Sequence, residues 1–493
     1  MGVSLRTISI CLTTFFAMVA GLAVAQDLNS AYFTDDYNYR HDMNPAFGNS
    51  QNYIAIPVLG NVDVKMQGNF GLGDILFKNP QTGYYNRTFM HPDVPVDEAL
   101  AGFNRGKNKI SADIGLTVLS AGFNAFGGYN TIEVRERTRM SMFLPYNLFE
   151  FAKDLRNKDY SFDDIGLRAQ SFAEIAFGHS RQITEDLRIG GKFKVLLGVA
   201  RADMNISGMT ANFTGDNWLV TSGNAEANIN MKGIKLVNTS SDYKGKRGGT
   251  YEHVDFGETD VDGAGISGIG LGIDFGAEYR VMEDLKVSAA ILDLGFIGWN
   301  NNWLLKQRKG SFEFDGFHDI QINDNNGISI DDQVNDYKDQ ISDFVSFDNK
   351  GDQGSSTSML AATVNMGVEY QLPMYKPLSF GLLGQHHFEG DYSWTEGRLS
   401  ANWTPLSWLN GGINVAVNSF CTSAGWVLNI HPNGFNFFIG MDHILGKQSK
   451  EFIPLSSNAS IAIGMNIAWG GNKKKSGKVE KDNTKDTQDM YFW

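Results

Sequence analysis

Hydrophobic and polar residues alternate one by one through many segments of this chain. Between residues 187 and 200 the charged side chains are all even-numbered and the large apolar ones are mostly odd-numbered, as in Phe193-Lys194-Val195. The same pattern runs through residues 166–180, 266–281 and 458–469. A period of two puts successive residues on opposite faces of a β-strand, so these segments are predicted to be strands and not helices.

The lengths of the alternating segments and of their connections predict the kind of sheet. Many segments run for 10 to 15 residues, whereas a strand of a soluble protein usually has about 5 to 6. Short connections alternate with long ones at residues 72–108, 144–165, 201–265 and 299–357. Short turns at one end and long loops at the other are typical of outer-membrane barrels. A soluble β-sandwich, which also alternates, is the alternative.

The predicted fold is an all-β, transmembrane, antiparallel outer-membrane β-barrel of about 14 strands, with a range of roughly 12 to 16. An even number of strands puts both ends of the chain on the periplasmic side. The barrel is assigned to residues 61–469, an N-terminal periplasmic or plug segment to residues 26–60, and a flexible periplasmic tail to residues 470–493. The predicted strands are 61–71, 109–123, 129–143, 166–180, 186–200, 266–281, 285–298, 358–371, 378–388, 394–404, 410–418, 424–431, 435–442 and 458–469.

Residues 1–25 have the order of a secretory signal peptide. A positively charged start that contains Arg6 precedes an apolar run and the small-x-small triplet Ala23-Val24-Ala25. The predicted cleavage lies between Ala25 and Gln26. The apolar run, at about 16 residues, is short for a retained membrane anchor, which needs roughly 20. Export and membrane strands together predict the outer membrane of a Gram-negative cell, with its lipid around the barrel.

Composition and motifs exclude several kinds of function. The chain has 42 basic and 55 acidic side chains, and its formal charge of −13 argues against a nucleic-acid partner. Cys11 lies in the predicted leader, so Cys421 alone remains and no internal disulfide is expected. Nucleotide-binding, serine-hydrolase and zinc-protease motifs are missing from the sequence, and the adjacent His386 and His387 point to opposite faces of a strand. We therefore predict no enzymatic activity, no catalytic residue, no cofactor and no metal site.

Charged residues concentrate on one face of neighbouring predicted strands, which would be the lumen side of the barrel. One interpretation is that these charges pair across the strands and close the lumen electrostatically. The alternative is a role in selectivity or ligand binding. The candidate lumen-facing residues are Glu133, Arg135, Arg137, Arg139, Arg168, Glu174, Lys192 and Lys194.

The long loop at residues 311–352 is strongly acidic, with eleven acidic side chains against two lysines. A solvated outer loop is one interpretation, and a calcium site is the other, because carboxylate oxygens suit that ion. The segment Asp324-Asn325-Asn326-Gly327 hints at calcium but does not fit the spacing of an EF-hand. Residues 334–347 are predicted to form a short amphipathic helix within the loop.

Several short sequence words, mostly in the first ~130 residues of the mature chain, resemble an outer-membrane family of the Bacteroidota that is classified as a domain of unknown function. The words are Leu28-Asn29-Ser30-Ala31-Tyr32-Phe33, Arg40-His41, Asn44-Pro45-Ala46-Phe47, Ile56-Pro57-Val58-Leu59-Gly60-Asn61, Phe89-Met90-His91-Pro92 and Phe126-Gly127-Gly128-Tyr129-Asn130-Thr131. That family is similar to the FadL and PorV barrels, which share an Asn-Pro-Ala near the amino terminus, here Asn44, Pro45 and Ala46. The resemblance covers most of the mature chain and implies a FadL-like fourteen-strand barrel with an N-terminal segment that plugs the lumen.

The same resemblance implies two alternatives for function. A FadL-like protein would be a channel for small hydrophobic compounds. A PorV-like protein would be a non-conducting barrel that holds other envelope proteins as partners. A fold hosts many functions, so the resemblance by itself does not decide between them.

Overall fold

The computed structural model describes residues 28–154, 158–162, 164–213, 217–263, 265–315, 330–444 and 455–470. Three predicted features lie outside these residues. They are the signal peptide with its cleavage site between Ala25 and Gln26, the candidate calcium segment Asp324–Gly327, and the tail beyond Gly470.

Fourteen antiparallel strands close into a barrel, which confirms the predicted fold class and strand number. Each strand pairs with the next along the chain, and the last pairs with the first, with Asn52 opposite Trp469. The strands are β1 (Gln51–Ala55, continued as Val62–Gly68), β2 (Lys107–Ala125), β3 (Gly128–Pro145), β4 (Ile165–Gln182), β5 (Leu187–Ser207), β6 (Gly268–Met282), β7 (Leu285–Trp299), β8 (Ser356–Met359, continued as Ala362–Gln371), β9 (Leu378–Phe388), β10 (Trp394–Leu406), β11 (Leu409–Asn418), β12 (Thr422–Ile430), β13 (Asn436–Met441) and β14 (Ala459–Gly470).

Alternation along each strand separates a polar inner face from an apolar outer face. On β10, Arg398 is 2% exposed and its neighbour Leu399 is 62% exposed. On β11, Asn414 is buried and Ile413 is exposed. Exposed aliphatic side chains over buried polar ones are the reverse of a soluble protein, in which burial of apolar area drives folding. A lipid-facing barrel has this arrangement, because its outer face is apolar and its interior polar.

The first strand departs from its predicted bounds. It begins at Gln51 rather than near residue 61, and it is interrupted between Ala55 and Val62. Pro57 lies in the interruption and has no N–H to donate to a neighbouring strand. Val58, which follows it, adopts the left-handed backbone conformation with φ of 68°. The barrel therefore uses residues that the sequence pattern assigns to the N-terminal segment.

The connections β2–β3, β4–β5, β6–β7, β8–β9, β10–β11 and β12–β13 are all short and lie, with both ends of the barrel, at one end, which we refer to as the short-turn end. The two-residue turn Phe126-Gly127 between β2 and β3 has positive φ at both positions, 55° and 73°. Such a turn matches the right-handed twist of the flanking strands. Gln51 and Gly470, at the start of β1 and the end of β14, pair at the same end.

The long connections meet at the opposite, long-loop end. Phenylalanine rings pack several of them together, and Phe103 and Phe149 stack with their ring centroids 3.8 Å apart.

The helices are α1 (Arg40–Met43), α2 (Leu72–Ile75), α3 (Val96–Leu100), α4 (Tyr146–Lys153) and α5 (Ile330–Val345), with 3₁₀ turns at Asn29–Ala31 and Gly390–Tyr392. The strands outside the barrel are Leu76–Lys78, Tyr85–Thr88, Tyr160–Phe162, Met209–Asn212, Trp218–Thr221, Asn224–Met231, Ile234–Lys235, Asn238–Asp242, Thr250–Val254, Asp260–Val261, Asn302–Gln307, Ser311–Phe314 and Phe347–Asp352.

Within the described part of the chain, none of the helices has both the length and the apolar character needed to cross a membrane.

The acidic loop contains the predicted helix, which the structure places at α5. Its acidic residues are not all solvated, because Asp343 is fully buried. The Asp343 carboxylate accepts hydrogen bonds from Tyr243 and Arg247, at 2.7 and 2.8 Å, and pairs with Lys309 at 2.8 Å. Burial raises the pKa of Asp343, but hydrogen bonds from Lys309, Tyr243 and Arg308 outweigh it and lower the pKa to about 2. These contacts hold this part of the loop against the neighbouring connections of the long-loop end.

Candidate functional site

Residues 28–50 lie inside the barrel and fill its lumen on the side of the short-turn end; we refer to them as the plug. Nearly all of their side chains are buried, including Tyr32, Tyr37 and Tyr39. Tyr37 packs edge-on against Phe438 of β13, with ring centroids 4.8 Å apart. Tyr39 donates a hydrogen bond to the amide oxygen of Asn466 on β14, at 2.9 Å. Aromatic packing and hydrogen bonds to the wall thus replace a water-filled pore.

The Asn-Pro-Ala motif docks on two glycines of the wall. The Asn44 amide donates to the carbonyl oxygens of Ala277 and Ala289, at 3.2 and 3.3 Å, and its oxygen accepts from the Ala46 N–H. A Cβ atom on Gly276 would lie 2.0 Å from Asn44 Oδ1, and one on Gly190 would lie 2.0 Å from the Pro45 oxygen. The wall therefore accepts the motif only because both positions lack a side chain.

A buried group of charges, the plug network, joins the plug to the barrel wall. Lys192 Nζ on β5 bonds to the Asp42 carboxylate of the plug, to Glu133 Oε2 at 3.0 Å and to His41 Nδ1 at 3.2 Å. Arg135 Nη1 donates to the other Asp42 oxygen, at 3.3 Å. His41, Asp42 and Glu133 lie close enough together to hold a metal ion. The ammonium of Lys192 supplies the positive charge among them, so we assign no metal here.

A second group, the bulge network, surrounds Asp293 on β7. Strand pairing shifts at this point, and Asp293 has φ of 60°, a conformation that asparagine and aspartate tolerate better than most residues. Its carboxylate accepts two parallel hydrogen bonds from Arg137, both of 2.9 Å, and one from Lys194 of 2.6 Å. Arg137 also donates to Glu174, at 3.1 Å. The β-bulge thus delivers one carboxylate to two cations, Arg137 on β3 and Lys194 on β5.

A cavity of about 400 Å³, the chamber, lies between the plug and the long-loop end. Its size is within the range of small-molecule sites. Arg135, Arg137 and Asp293 also line the narrow space against the plug, so they form the chamber floor. The chamber is lined by the arginines Arg135, Arg137, Arg139, Arg168 and Arg201, the carboxylates Asp113, Asp293 and Glu389, the apolar residues Ile114, Phe172, Met359, Leu360, Ala361 and Phe388, and by Thr138, Gln170, Thr357, Ser358 and Gly390.

The wall beside the chamber is low. β9 ends at Phe388, and beyond it the segment Ser356–Met359 of β8 pairs only with β7 among the described residues. Met359 and Phe388 both line the chamber and are 73% and 51% exposed. Both are outward-facing positions of their strands, so the chamber borders the outside of the barrel at this edge of the wall, which we refer to as the rim.

A separate cavity of about 200 Å³ lies on the other side of the plug, at the short-turn end. It is lined in part by Asp35 of the plug and by Lys286 and Glu369 of the wall. The plug lies between the two cavities and separates them, so the described residues leave no continuous pore through the lumen.

The structure places the eight sequence-predicted residues in the lumen, divided among three groups. Glu133, Arg135 and Lys192 belong to the plug network, and Arg137, Glu174 and Lys194 to the bulge network. Arg139 and Arg168 line the chamber nearer the long-loop end, beside the rim. The motif residues Asn44, Pro45 and Ala46 lie in the plug.

Sequence reasoning missed the partners of these charges. They include Asp42, Asp113, Asp203, Asp274, Asp293 and Glu389. Asp293 carried a usable signal, because a single carboxylate interrupts the apolar run Ile291-Leu292-Asp293-Leu294. Glu389 carried none, since it follows a strand at an ordinary polar turn.

A protein-family model described as "Family of unknown function (DUF5723)" matches residues 45–442 of the chain. No curated protein matches the chain. Among solved structures, the toluene transporter TbuX of Ralstonia pickettii is similar at 9% identity and a TM-score of 0.39, over 92% of this chain and 96% of that one. The P. putida toluene transporter TodX is similar at 8% identity and a TM-score of 0.36, over 91% and 96%. The monoaromatic hydrocarbon channel CymD is similar at 10% identity and a TM-score of 0.32, over 91% and 94%.

Proposed function

We propose a function for this chain, which belongs to the family of unknown function DUF5723. The protein is an outer-membrane barrel that takes a small molecule from the cell surface into the chamber. The plug closes the barrel towards the periplasm. The observation that carries this proposal is the chamber, which borders the outside of the barrel at the rim and has the plug beneath its floor. A small molecule can enter such a space, but its onward path requires the plug to move.

The barrel dimensions support a membrane position with the rim at the outer surface. Strand β9 has 11 residues. With a rise of about 3.3 Å per residue and a tilt near 40°, it spans roughly 25 Å, the height of the apolar band of outer-membrane barrels. The short-turn end then faces the periplasm and the long loops face the cell exterior. The signal peptide, which export requires, stays a prediction from the sequence.

A second candidate is a non-conducting docking protein. The tight packing of the plug favours it, because Tyr32, Tyr39 and Asn44 are completely or almost completely buried against the wall. In that case the barrel would hold an envelope protein through its long-loop end, and the plug would never leave. The small hydrophobic ligand implied by the FadL resemblance belongs to the first candidate and stays a prediction.

Solute flux into liposomes tests the first candidate. The purified protein is compared with a variant lacking residues 28–50 and with a control lacking residues 471–493, and heat-modifiable gel migration shows which variants are folded barrels. We expect little flux of arabinose through the full chain and the control, and rapid flux after deletion of the plug. A folded deletion variant that admits no solute would contradict transport and favour docking. Recovery of the full chain from the soluble periplasm would contradict the membrane position.

A further inference from the structure

We propose that the chamber binds a small organic carboxylate, and that the side chain of Glu389 occupies the carboxylate position when the ligand is absent. The proposal rests on the proposed function in one respect, because the ligand must reach the chamber from outside. It adds the chemical class of the ligand and the residues that recognise it.

Glu389 comes from the tip of the β9–β10 hairpin but points into the lumen. It directly follows Phe388, the last residue of β9, and its side chain is 7% exposed. The carboxylate oxygen Oε2 lies 2.9 Å from Arg139 Nε, and Oε1 lies 4.0 Å from Arg168 Nη1. A turn residue at a low rim could place its carboxylate in water without cost. Here it lies between two guanidinium groups of the chamber instead.

The contact between Glu389 and its partners is poorly aligned. In the described part of the chain, Glu389 Oε2, Arg139 Nε, Arg139 Nη2 and His387 Nε2 are buried without a hydrogen bond of acceptable geometry. Arg139 also pairs with Asp113, at 3.3 Å. A guanidinium binds a carboxylate best through two parallel N–H···O bonds, and Arg139 does not make them with Glu389. A free carboxylate can adopt the geometry that the tethered one does not reach.

Exchange of one carboxylate for another preserves the charge balance at the rim. Around the rim, Arg139, Arg168 and Arg201 face Asp113, Asp203 and Glu389. Asp203 accepts hydrogen bonds from Arg168 and Arg201, at 3.1 and 2.9 Å, and it does not line the chamber. Asp113 and Asp203 are fixed on β2 and β5, whereas Glu389 lies in a turn. Exchange of Glu389 for the ligand keeps the charges paired, which avoids the penalty of an unpaired buried ion.

The remaining lining defines the rest of the ligand. Phe172, Leu360 and Ile114 offer apolar surface inside the chamber, and Met359 and Phe388 extend it over the rim. A volume of about 400 Å³ limits the ligand to a compact body. The structure therefore assigns the site to a carboxylate on a small apolar group, such as an aromatic acid.

Binding of 4-fluorobenzoate to the folded protein in detergent micelles, followed by fluorine NMR, tests the proposal. We expect Glu389→Gln to bind the probe about tenfold more tightly than the unaltered protein, because a competing charged group is removed. Arg139→Gln and the more exposed Arg168→Gln should each weaken binding by about tenfold or more. Arg280→Gln, at the short-turn end, is the control and should leave the affinity unchanged. The neutral probe 4-fluorobenzyl alcohol should gain nothing from Glu389→Gln.

Two results would overturn the proposal, provided that gel migration shows folded barrels. One is an affinity for 4-fluorobenzoate that stays equal or falls in Glu389→Gln. The other is an equal gain for the alcohol, which would show that the substitution only opened the chamber. Binding in micelles does not depend on flux, so failure here leaves the transport experiment unaffected, and failure of transport leaves this result standing.

Discussion

The ammonium of Lys192 on β5 bonds directly to the carboxylate of Asp42 in the plug, and both side chains are buried. The two residues are 150 positions apart in the chain, so their contact exists only when the plug is seated in the barrel. Breaking a buried ion pair leaves one charge without compensation and usually costs about 3 to 5 kcal/mol. This pair is therefore a main determinant of whether the lumen stays closed.

We expect Asp42→Asn to loosen the plug without unfolding the barrel. The substitution leaves Lys192 and Arg135 with less negative charge and weakens the plug network. Arg40, two residues away, is 6% exposed and should resist trypsin in the unaltered protein. In the variant, trypsin should cleave after Arg40 at least tenfold faster. Glu283→Gln is the control, because Glu283 is 82% exposed and pairs only at the surface with Lys376. Equal cleavage rates in Asp42→Asn and the control would contradict this role.

Because the Asn-Pro-Ala motif packs against β6, alanine substitution of two glycines in this strand should affect the plug differently. Gly276→Ala should displace the motif, since the new Cβ would lie 2.0 Å from Asn44 Oδ1. Gly272→Ala, on the same strand, should be tolerated, because the nearest atom to its Cβ would be 3.5 Å away. Trypsin cleavage after Arg40 again measures the effect. If both variants resist trypsin equally, the motif does not hold the plug in place.

The long-loop end should lose stability in acid because of Asp343. Its pKa is about 2 in the folded protein, below the value of about 3.9 of an unfolded aspartate. A depressed pKa contributes stability that is present above about pH 4 and is lost as the pH falls through about 2. The protection of the α5 amides against hydrogen exchange, relative to their intrinsic exchange rates, should therefore fall between pH 4 and pH 2. In Asp343→Asn the exchange should be faster already at pH 5, and this acid-dependent part should be absent. Unchanged exchange of α5 in the variant at pH 5 would contradict the assignment.

The barrel could be predicted from the sequence because the membrane imposes a strict rule. Every second residue of a strand meets lipid, so the alternation in segments such as 187–200 and 458–469 is long and regular. The turn at Phe126-Gly127-Gly128 and the helix α5 also follow from local chemistry. These features depend on neighbours in the chain, which a single sequence displays.

The site could be predicted only in part, because its geometry depends on distant contacts. The face of Arg135, Arg137 and Arg139 follows from periodicity, but the partner of each arginine does not. The bulge at Asp293 and the break at Pro57 shift the register locally, and alternation cannot place the residues beyond them. The chamber lies beside the end of β9, which the residue pattern placed correctly at 388, but the inward turn of Glu389 does not follow from a residue pattern.

The occupation of the lumen by residues 28–50 is the central claim, and hydrogen exchange of the full chain in lipid nanodiscs tests it most directly. We predict that peptides from residues 28–50 exchange as slowly as peptides from the barrel strands, and that Asp42→Asn accelerates them selectively. If residues 28–50 of the unaltered protein exchange within seconds while the strands remain protected, the plug is not seated and the account of a closed lumen is wrong.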